Sequence, residues 1–175
     1  MTGWRGLAAG TVALAMLPGC PRPLVPAAPP LLQDADWTPP VLSGHVTEGW
    51  FLDDRFGLSV PIPEGWRAEP AAITDATRVV LVDPDGKVRM RIALGSAGPE
   101  PRGDCTWEFQ DLALYTFGAL QVQPSTCVPE DAAAPRILAW YAPGASPTVL
   151  VEAEAPPGCL LEAEDAAAAV LSGLR

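Results

Sequence analysis

The stretch that decides the fold class is residues 77–94, TRVVLVDPDGKVRMRIAL. Two runs rich in branched apolar residues, 78–82 and 87–94, flank the tetrapeptide DPDG at positions 83–86. Proline at the second position and glycine at the fourth are typical of a type I turn. The stretch therefore predicts a β-hairpin, and an antiparallel sheet becomes the starting point for the fold.

Further strands are predicted on both sides of this hairpin. In residues 56–63, FGLSVPIP, every second side chain is apolar, which is the pattern of a half-buried strand. Pro61 and Pro63 remove two N–H groups from the same side of that strand, so it is predicted to lie at a sheet edge. Residues 136–141 and 148–155 are predicted to form two more strands.

The chain closes with a predicted helix. Acidic residues occupy its first turns and Arg175 its end, an arrangement that the helix dipole favours. The apolar residues recur at helical spacing and form one stripe: Ala163, Ala167, Val170, Leu171 and Leu174. Residues 41–175 are thus predicted to form a single α+β domain, an antiparallel sheet with a packed C-terminal helix.

The middle segment, residues 105–123, fits two structures. Its first six residues, CTWEFQ, alternate like a strand, whereas Asp111 could cap a helix that runs through Leu120. Apolar residues fall all round a helical wheel in this segment. We therefore expect it to be buried in either conformation.

The charge composition limits the possible partners. The 175-residue chain has a formal net charge of −10, and Lys87 is its only lysine. Such an acidic chain repels phosphate backbones, so a nucleic-acid partner is not expected.

The first twenty residues have the parts of a secretory signal peptide. Residues 6–17 form an apolar run of 12 residues after a short leader that contains Arg5. A membrane-spanning helix needs about 20 residues, so the run is too short to be a permanent anchor. It leads into residues 17–20, LPGC, where the chain would be cut.

Residues 17–20 resemble the lipobox of bacterial lipoproteins. The resemblance implies diacylglycerol transfer to the sulfur of Cys20, cleavage after Gly19 and a mature chain that begins at Cys20. Pro18 departs from the serine, alanine or threonine usual in that motif. An aspartate directly after the lipidated cysteine would retain the protein at the inner membrane. Pro21 stands at this position, which favours location at the outer membrane in a cell that has two membranes.

A proline-rich segment separates this leader from the domain. Residues 21–40 contain seven prolines, which favours extended polyproline II structure. At about 3.1 Å per residue the segment could reach roughly 60 Å from a membrane. The predicted organisation is a signal peptide at 1–19, a lipidated cysteine with its tether at 20–40, and one domain at 41–175. This places the domain on the extracytoplasmic side of the bacterial cell envelope, held there by the lipid.

The domain also resembles a known family of extracytoplasmic proteins. Residues 56–66, FGLSVPIPEGW, followed by the hairpin, and the closing residues 169–175, AVLSGLR, look like the PsbP-like group of α/β/α domains. The resemblance implies a sandwich fold and a binding or assembly-accessory role. It includes no catalytic motif, and no cofactor is expected for the domain.

Three cysteines remain after export to an oxidising compartment, where disulfides persist. If the middle segment were helical, an extended return after it would bring Cys127 back beside Cys105, and this pairing is favoured. Pairing of Cys105 with Cys159 is the alternative. The spacings fit no zinc motif, and the one histidine, His45, is expected to be exposed, so neither a metal nor a catalytic cysteine is expected.

Basic residues form a stripe in the predicted hairpin. Lys87, Arg89 and Arg91 alternate with apolar residues and so share one strand face, which Arg78 could join. One interpretation is a solvated face whose charges prevent edge-to-edge aggregation. The other is a docking site for an acidic partner or polymer.

Four tryptophans, Trp50, Trp66, Trp107 and Trp140, could alternatively form a sugar-stacking platform, although Trp66 fits a core position better. The sequence thus predicts a lipid-anchored, non-enzymatic domain that binds or supports an envelope protein or polymer. A sugar- or peptidoglycan-binding module is the alternative. A carboxylate-based hydrolase of envelope polymer is a further one, which would need two carboxylates about 5–9.5 Å apart in a cleft.

Overall fold

The structure, a computed structural model, describes residues 40–110 and 114–175. The predicted signal peptide, Cys20 and nearly all of the tether lie outside the described residues. The elements follow in this order: β1 (Gly44–Thr47), β2 (Trp50–Asp53), β3 (Ser59–Pro61), β4 (Arg67–Pro70), β5 (Thr77–Val82), β6 (Arg89–Leu94), β7 (Cys105–Phe109), β8 (Tyr115–Phe117), β9 (Leu120–Pro129), β10 (Arg136–Ala142), β11 (Val149–Ala155), a short 3₁₀ turn (Pro157–Cys159) and α1 (Leu160–Gly173).

The strands form two antiparallel sheets. The small sheet has the order β1-β2-β3, and the large sheet has the order β4-β5-β6-β11-β10-β9-β7, with β8 paired to β9. Strand β3 keeps only residues 59–61 of the predicted strand 56–63, and it lies at the edge of the small sheet, as Pro61 predicts. The described chain is therefore mostly antiparallel sheet with one C-terminal α-helix, which confirms the α+β class.

The hairpin that decides the fold class is present as predicted. Strands β5 and β6 pair in antiparallel register, and the Gly86 N–H donates to the Asp83 carbonyl at 3.1 Å across the turn. The Asp83 carboxylate also accepts hydrogen bonds from the backbone N–H groups of Val88 at 2.7 Å and Asp85 at 3.2 Å. The carboxylate of Asp83 thus stabilises the turn by accepting backbone hydrogen bonds.

Helix α1 covers one face of the large sheet. Its buried residues are Ala163, Ala166, Ala167, Val170 and Leu171, nearly the predicted stripe. They pack in one cluster with Leu81, Met90 and Ile92 from the hairpin and with Phe51 from the small sheet. The end of the helix lies so close to β3 that a Cβ on Gly173 would approach Pro61 Cγ to 2.7 Å. Only glycine fits at this contact.

The middle segment is not a helix where the structure describes it. Residues 105–109 form β7, as one of the two interpretations predicted, but β8 and the start of β9 occupy the region where a helix through Leu120 was the alternative. The expected burial is also wrong. Phe109, at the end of edge strand β7, is 60% exposed, and Leu114 and Tyr115, just before and at the start of β8, are 53% and 48% exposed.

The Cys105–Cys127 disulfide is present, with the two Cα atoms 5.5 Å apart. The chain between the two cysteines does not follow the expected helical path. Strands β7 and β9 are paired neighbours in which Cys127 lies opposite Trp107, and Cys105 lies opposite Pro129. The two cysteines are therefore diagonal neighbours on one sheet face, and no helical excursion is needed. Cys159 is a free, half-buried cysteine.

Candidate functional site

Arg78 does not join the basic stripe. The register between β5 and β6 shifts by one residue between Thr77 and Val79, which marks a bulge at Arg78. Its side chain is only 1% exposed, and its Nε donates to Asp53 Oδ2 at 2.6 Å. The expectation that Arg78 contributes to a docking surface is thus corrected, because its guanidinium is buried between the two sheets.

Lys87 also lies apart from the other two cations. It precedes β6 and pairs with Asp85 in the turn, Nζ to Oδ2, at 2.7 Å. This hydrogen bond and the attraction between the two charges lower the pKa of Asp85 and raise the pKa of Lys87. Both side chains are more than half exposed, so the pair is a feature of the turn surface.

Arg89 and Arg91 share the sheet face opposite α1 with two glutamates. Glu152 of β11 lies directly opposite Arg91, and Glu154 lies directly opposite Arg89. Arg91 donates from both Nε and Nη2 to Glu152 Oε2, at 2.9 and 2.5 Å. Arg89 contacts Glu69 of β4 at 3.7 Å. The predicted basic stripe is therefore matched by acids on its neighbouring strands.

The connection from β6 to β7 adds a third arginine to this face. Strands β11, β10 and β9 lie between β6 and β7, so the connection must cross them. Trp107 Nε1 donates to the Glu100 carbonyl at 3.0 Å, and Thr148 Oγ1 donates to the Ser96 carbonyl at 2.8 Å, which holds the connection against the sheet. Exposed Arg102 is brought in this way beside the charged pairs.

We call the resulting cavity the mixed-charge cleft. Its volume is about 180 Å³, and it is lined by Val80, Arg89, Arg91, Arg102, Ile137, Glu152 and Glu154. A second cavity of about 330 Å³ shares Arg102, Ile137 and Glu154 with it and continues to Cys105. The disulfide therefore pins the strand beside this extension of the cleft.

Glu152 is the most unusual group in the cleft. It is 4% exposed, and its Oε2 takes both hydrogen bonds from Arg91. Its Oε1 is buried and has no hydrogen-bond partner among the described residues. An unsatisfied buried acceptor costs about 1–3 kcal/mol, so native structures rarely keep one without a reason. A residue that lines the cleft thus has a buried carboxylate oxygen with no hydrogen-bond donor among the described residues.

A third cavity lies between the sheet and α1. Its volume is about 310 Å³, and its lining combines aromatic rings with carboxylate, amide and hydroxyl groups. These side chains are Gln110, Tyr115, Phe117, Ser125, Thr126, Trp140, Glu164 and Asp165. Exposed Phe109 and Leu114 lie just before and after residues 111–113 in the chain. Aromatic faces beside hydrogen-bonding groups suit a polyol.

A fourth cavity is mainly apolar. It encloses about 440 Å³ and is lined by Phe56, Leu58, Leu94, Leu120, Pro147 and Leu174, among others. Ser146 and Arg175 supply its polar lining side chains. None of the residues singled out in the sequence as candidate sites lies in it.

The four tryptophans do not form one platform. The strand register places Trp107 and Trp140 on opposite faces of the large sheet. Trp140 belongs to the main core cluster, Trp66 packs against that cluster, and Trp50 lies under the guanidinium of Arg175. The core position expected for Trp66 is therefore what the structure shows.

The remaining sequence candidates lie apart from the cleft. His45 is exposed, and its Nδ1 lies 3.1 Å from Asp54 Oδ1. In residues 40–110 and 114–175 no group of three histidine, cysteine or acidic residues is arranged to hold a metal ion. Within the same ranges no helix is both long and apolar enough to cross a membrane.

Sequence reasoning found Arg89 and Arg91 but missed Arg102, Glu152 and Glu154. The alternation of residues 149–155 as a strand does place Glu152 and Glu154 on one face. Which strand they oppose depends on the order β6-β11-β10, which no local pattern specifies. No protein-family model matches the chain, and no curated protein matches it significantly in sequence.

Proposed function

We propose that the chain is a membrane-anchored extracytoplasmic lipoprotein of the bacterial cell envelope, with a non-catalytic domain that binds or supports another envelope component. The anchoring half of the proposal is supported by residues 17–20, LPGC, at the end of a 12-residue apolar run, and by the proline-rich segment after them. Two or three acyl chains on Cys20 would hold the chain to a bilayer, since one chain alone binds only marginally.

The binding half is supported by one observation above all, the mixed-charge cleft. It brings three guanidinium groups and two carboxylates together, and one buried carboxylate oxygen has no partner among the described residues. A buried ion pair adds little to stability compared with an apolar pair of similar volume. A role in recognition explains why such a group is kept there.

The finer fold assignment belongs to the same proposal. A PsbP-like domain is a sandwich of helices and an antiparallel sheet, and α1 packed on one face of the large sheet is compatible with one half of it. An experimentally determined structure of residues 41–175, superposed on PsbP-like domains, tests this assignment. A different strand order in those domains would exclude it.

Anchoring is tested by fractionating cells that produce the full-length chain and measuring the mass of its N-terminal peptide. We expect the chain in the membrane fraction, with an acylated Cys20 as its first residue. Cys20→Ser should release it from the membrane, whereas the matched variant Cys159→Ser should stay bound. An unmodified Cys20 would contradict the anchoring proposal.

Binding is tested by co-purification from native membranes solubilised in mild detergent. We expect an envelope component to accompany the wild-type chain and to be lost with Arg102→Glu, which reverses a charge of the cleft. Glu162→Gln, at an exposed site on α1, is the matched control and should keep the component. Equal recovery with both variants would exclude the cleft as the binding site.

The sugar- or peptidoglycan-binding alternative is favoured by a separate observation, the cavity lined by Tyr115, Trp140, Asp165 and several hydroxyl and amide groups. Tyr115 is 48% exposed and could stack on a sugar ring. Titration with soluble peptidoglycan fragments tests this alternative. Saturable binding that Tyr115→Ala removes and Arg102→Glu retains would support it, and cleavage of the fragments would instead indicate a hydrolase.

A further inference from the structure

We propose that the mixed-charge cleft recognises an α-amino-acid head group, that is, an ammonium and a carboxylate carried on one carbon. This inference rests on the binding role proposed above and names the chemistry of its ligand. The head group could belong to a free amino acid or to a residue joined to a wall or partner peptide through its side chain, which leaves both of its α groups free. In both cases the recognised atoms are the same.

The cationic half of the ligand is recognised by carboxylate oxygens. Glu152 lines the cleft, and its Oε1 is buried and unpartnered among the described residues. Glu154 lies two residues farther along β11 on the same face and also lines the cleft. An ammonium has three N–H donors, so it can satisfy Glu152 Oε1 and Glu154 together. A ligand without a donor would leave Glu152 Oε1 unsatisfied.

The anionic half is recognised by guanidinium groups. Arg91 already donates to Glu152 through Nε and Nη2, so its role is to hold that carboxylate in place. Arg89 is 59% exposed and meets Glu69 only at 3.7 Å, which leaves most of its donors available. Exposed Arg102 approaches from the β6–β7 connection. Arginine suits this task because its planar fork can bind a carboxylate through two hydrogen bonds.

Charge and size favour a zwitterion over a dianion. The three arginines and two glutamates of the lining carry one net positive charge, which a zwitterion leaves unchanged. A dianion such as phosphate would bring two negative charges beside buried Glu152. The volume of about 180 Å³ suits a head group, while the adjoining cavity of about 330 Å³ provides room for the chain attached to it.

The test is an NMR titration of the domain with alanine, N-acetylalanine and alaninamide, monitored at the arginine Nε–H signals. We expect saturable shifts of the Arg89, Arg91 and Arg102 signals with alanine. Each capped probe lacks one charge and should bind at least tenfold more weakly. Glu152→Gln and Arg102→Gln should each weaken alanine binding at least tenfold, and Glu162→Gln should leave it unchanged.

The results of this titration can overturn the inference or identify the source of the ligand. No shift with alanine, or equal binding of the capped probes, would overturn the inference. If Glu152→Gln does not fold, Arg102→Gln on the exposed connection still decides the result. Tighter binding of a peptide-linked residue whose α-ammonium and α-carboxylate are both free, because it is attached through its side chain, than of alanine would identify a polymer or partner as the source. A further result is that the wild-type chain fails to bind alanine and still co-purifies with an envelope component in a way that depends on Arg102. That pair of results would refute this inference and leave the proposed function standing.

Discussion

The guanidinium of Arg78 joins the two sheets of the domain through a hydrogen bond from its Nε to Asp53 Oδ2, 2.6 Å long. Arg78 lies at the bulge in β5, and Asp53 ends β2. Its Nη1 donates to the carbonyls of Ile73 and Asp75, and the Ser43 hydroxyl donates to the Arg78 carbonyl. Asp53 also accepts from the N–H groups of Arg55 and Phe56, so both charges are satisfied by the fold.

Removal of this buried ion pair should be strongly destabilising. Arg78→Met leaves the Asp53 carboxylate, which is 3% exposed, without its cation, and such a change costs about 3–5 kcal/mol. Urea unfolding of the two proteins measures the loss. Arg89→Met is the matched control and should change stability by less than about 0.5 kcal/mol. Equal effects of the two variants would contradict the structural role of Arg78.

The disulfide should contribute to stability through the edge strand that it pins. It closes a separation of 22 residues between Cys105 and Cys127, and removal of such a bond costs about 2–4 kcal/mol. We expect the double variant Cys105→Ser/Cys127→Ser to unfold at lower urea concentration than the wild type. Cys159→Ser, compared under the same oxidising conditions, should have a much smaller effect. A free thiol at Cys127 in the exported protein would refute the pairing.

The turn pair offers a pH test. Because the hydrogen bond and charge of Lys87 lower the pKa of Asp85, Lys87→Met should raise that pKa toward its ordinary value of 3.8. An NMR titration of the Asp85 carboxyl signal measures this change. Because the pKa of Asp85 is lower in the folded chain than in the unfolded chain, the pair stabilises the fold at pH values above the unfolded pKa. This stabilisation is lost as the pH falls through the folded pKa. An unchanged Asp85 titration would show that the pair does not form in solution.

The exposed middle segment can be checked by two apolar substitutions. Phe109 is 60% exposed, so Phe109→Ser should change stability by less than about 0.5 kcal/mol. Leu81 is fully buried, and Leu81→Ala should cost about 2–5 kcal/mol. Thermal or urea unfolding compares the two. A large loss with Phe109→Ser would mean that this segment is buried after all.

Local sequence patterns predicted the elements whose register is fixed by short-range chemistry. The turn at residues 83–86 specifies the β5–β6 hairpin, and the spacing of alanine and valine specifies the buried face of α1. The Cys105–Cys127 pair was also predicted, although from a helical path that the structure does not have. The predicted partner was nevertheless correct, because two neighbouring antiparallel strands bring the cysteines together just as a helix followed by an extended segment would.

The cleft could be predicted only in part. Strand alternation predicts that Arg89 and Arg91 share one sheet face. Unbroken alternation along β5 would place Arg78 on the same face, but a one-residue bulge turns it away. Glu152 meets Arg91 only because β11 is inserted beside β6, far along the chain. The burial of Phe109 was misjudged because apolar composition does not reveal which strand lies at a sheet edge.

The most direct measurement is site-specific photocrosslinking in native membranes, with a photoreactive amino acid at position 102 of the full-length chain. Leu161, which is 77% exposed on α1, provides the control position. We expect one discrete crosslinked envelope component from position 102 and none from position 161. The product should be lost with Cys20→Ser because the chain leaves the membrane. Identical crosslinking from both positions, or none from position 102 in a membrane-bound chain, would contradict the claim that an anchored domain binds its partner through the cleft.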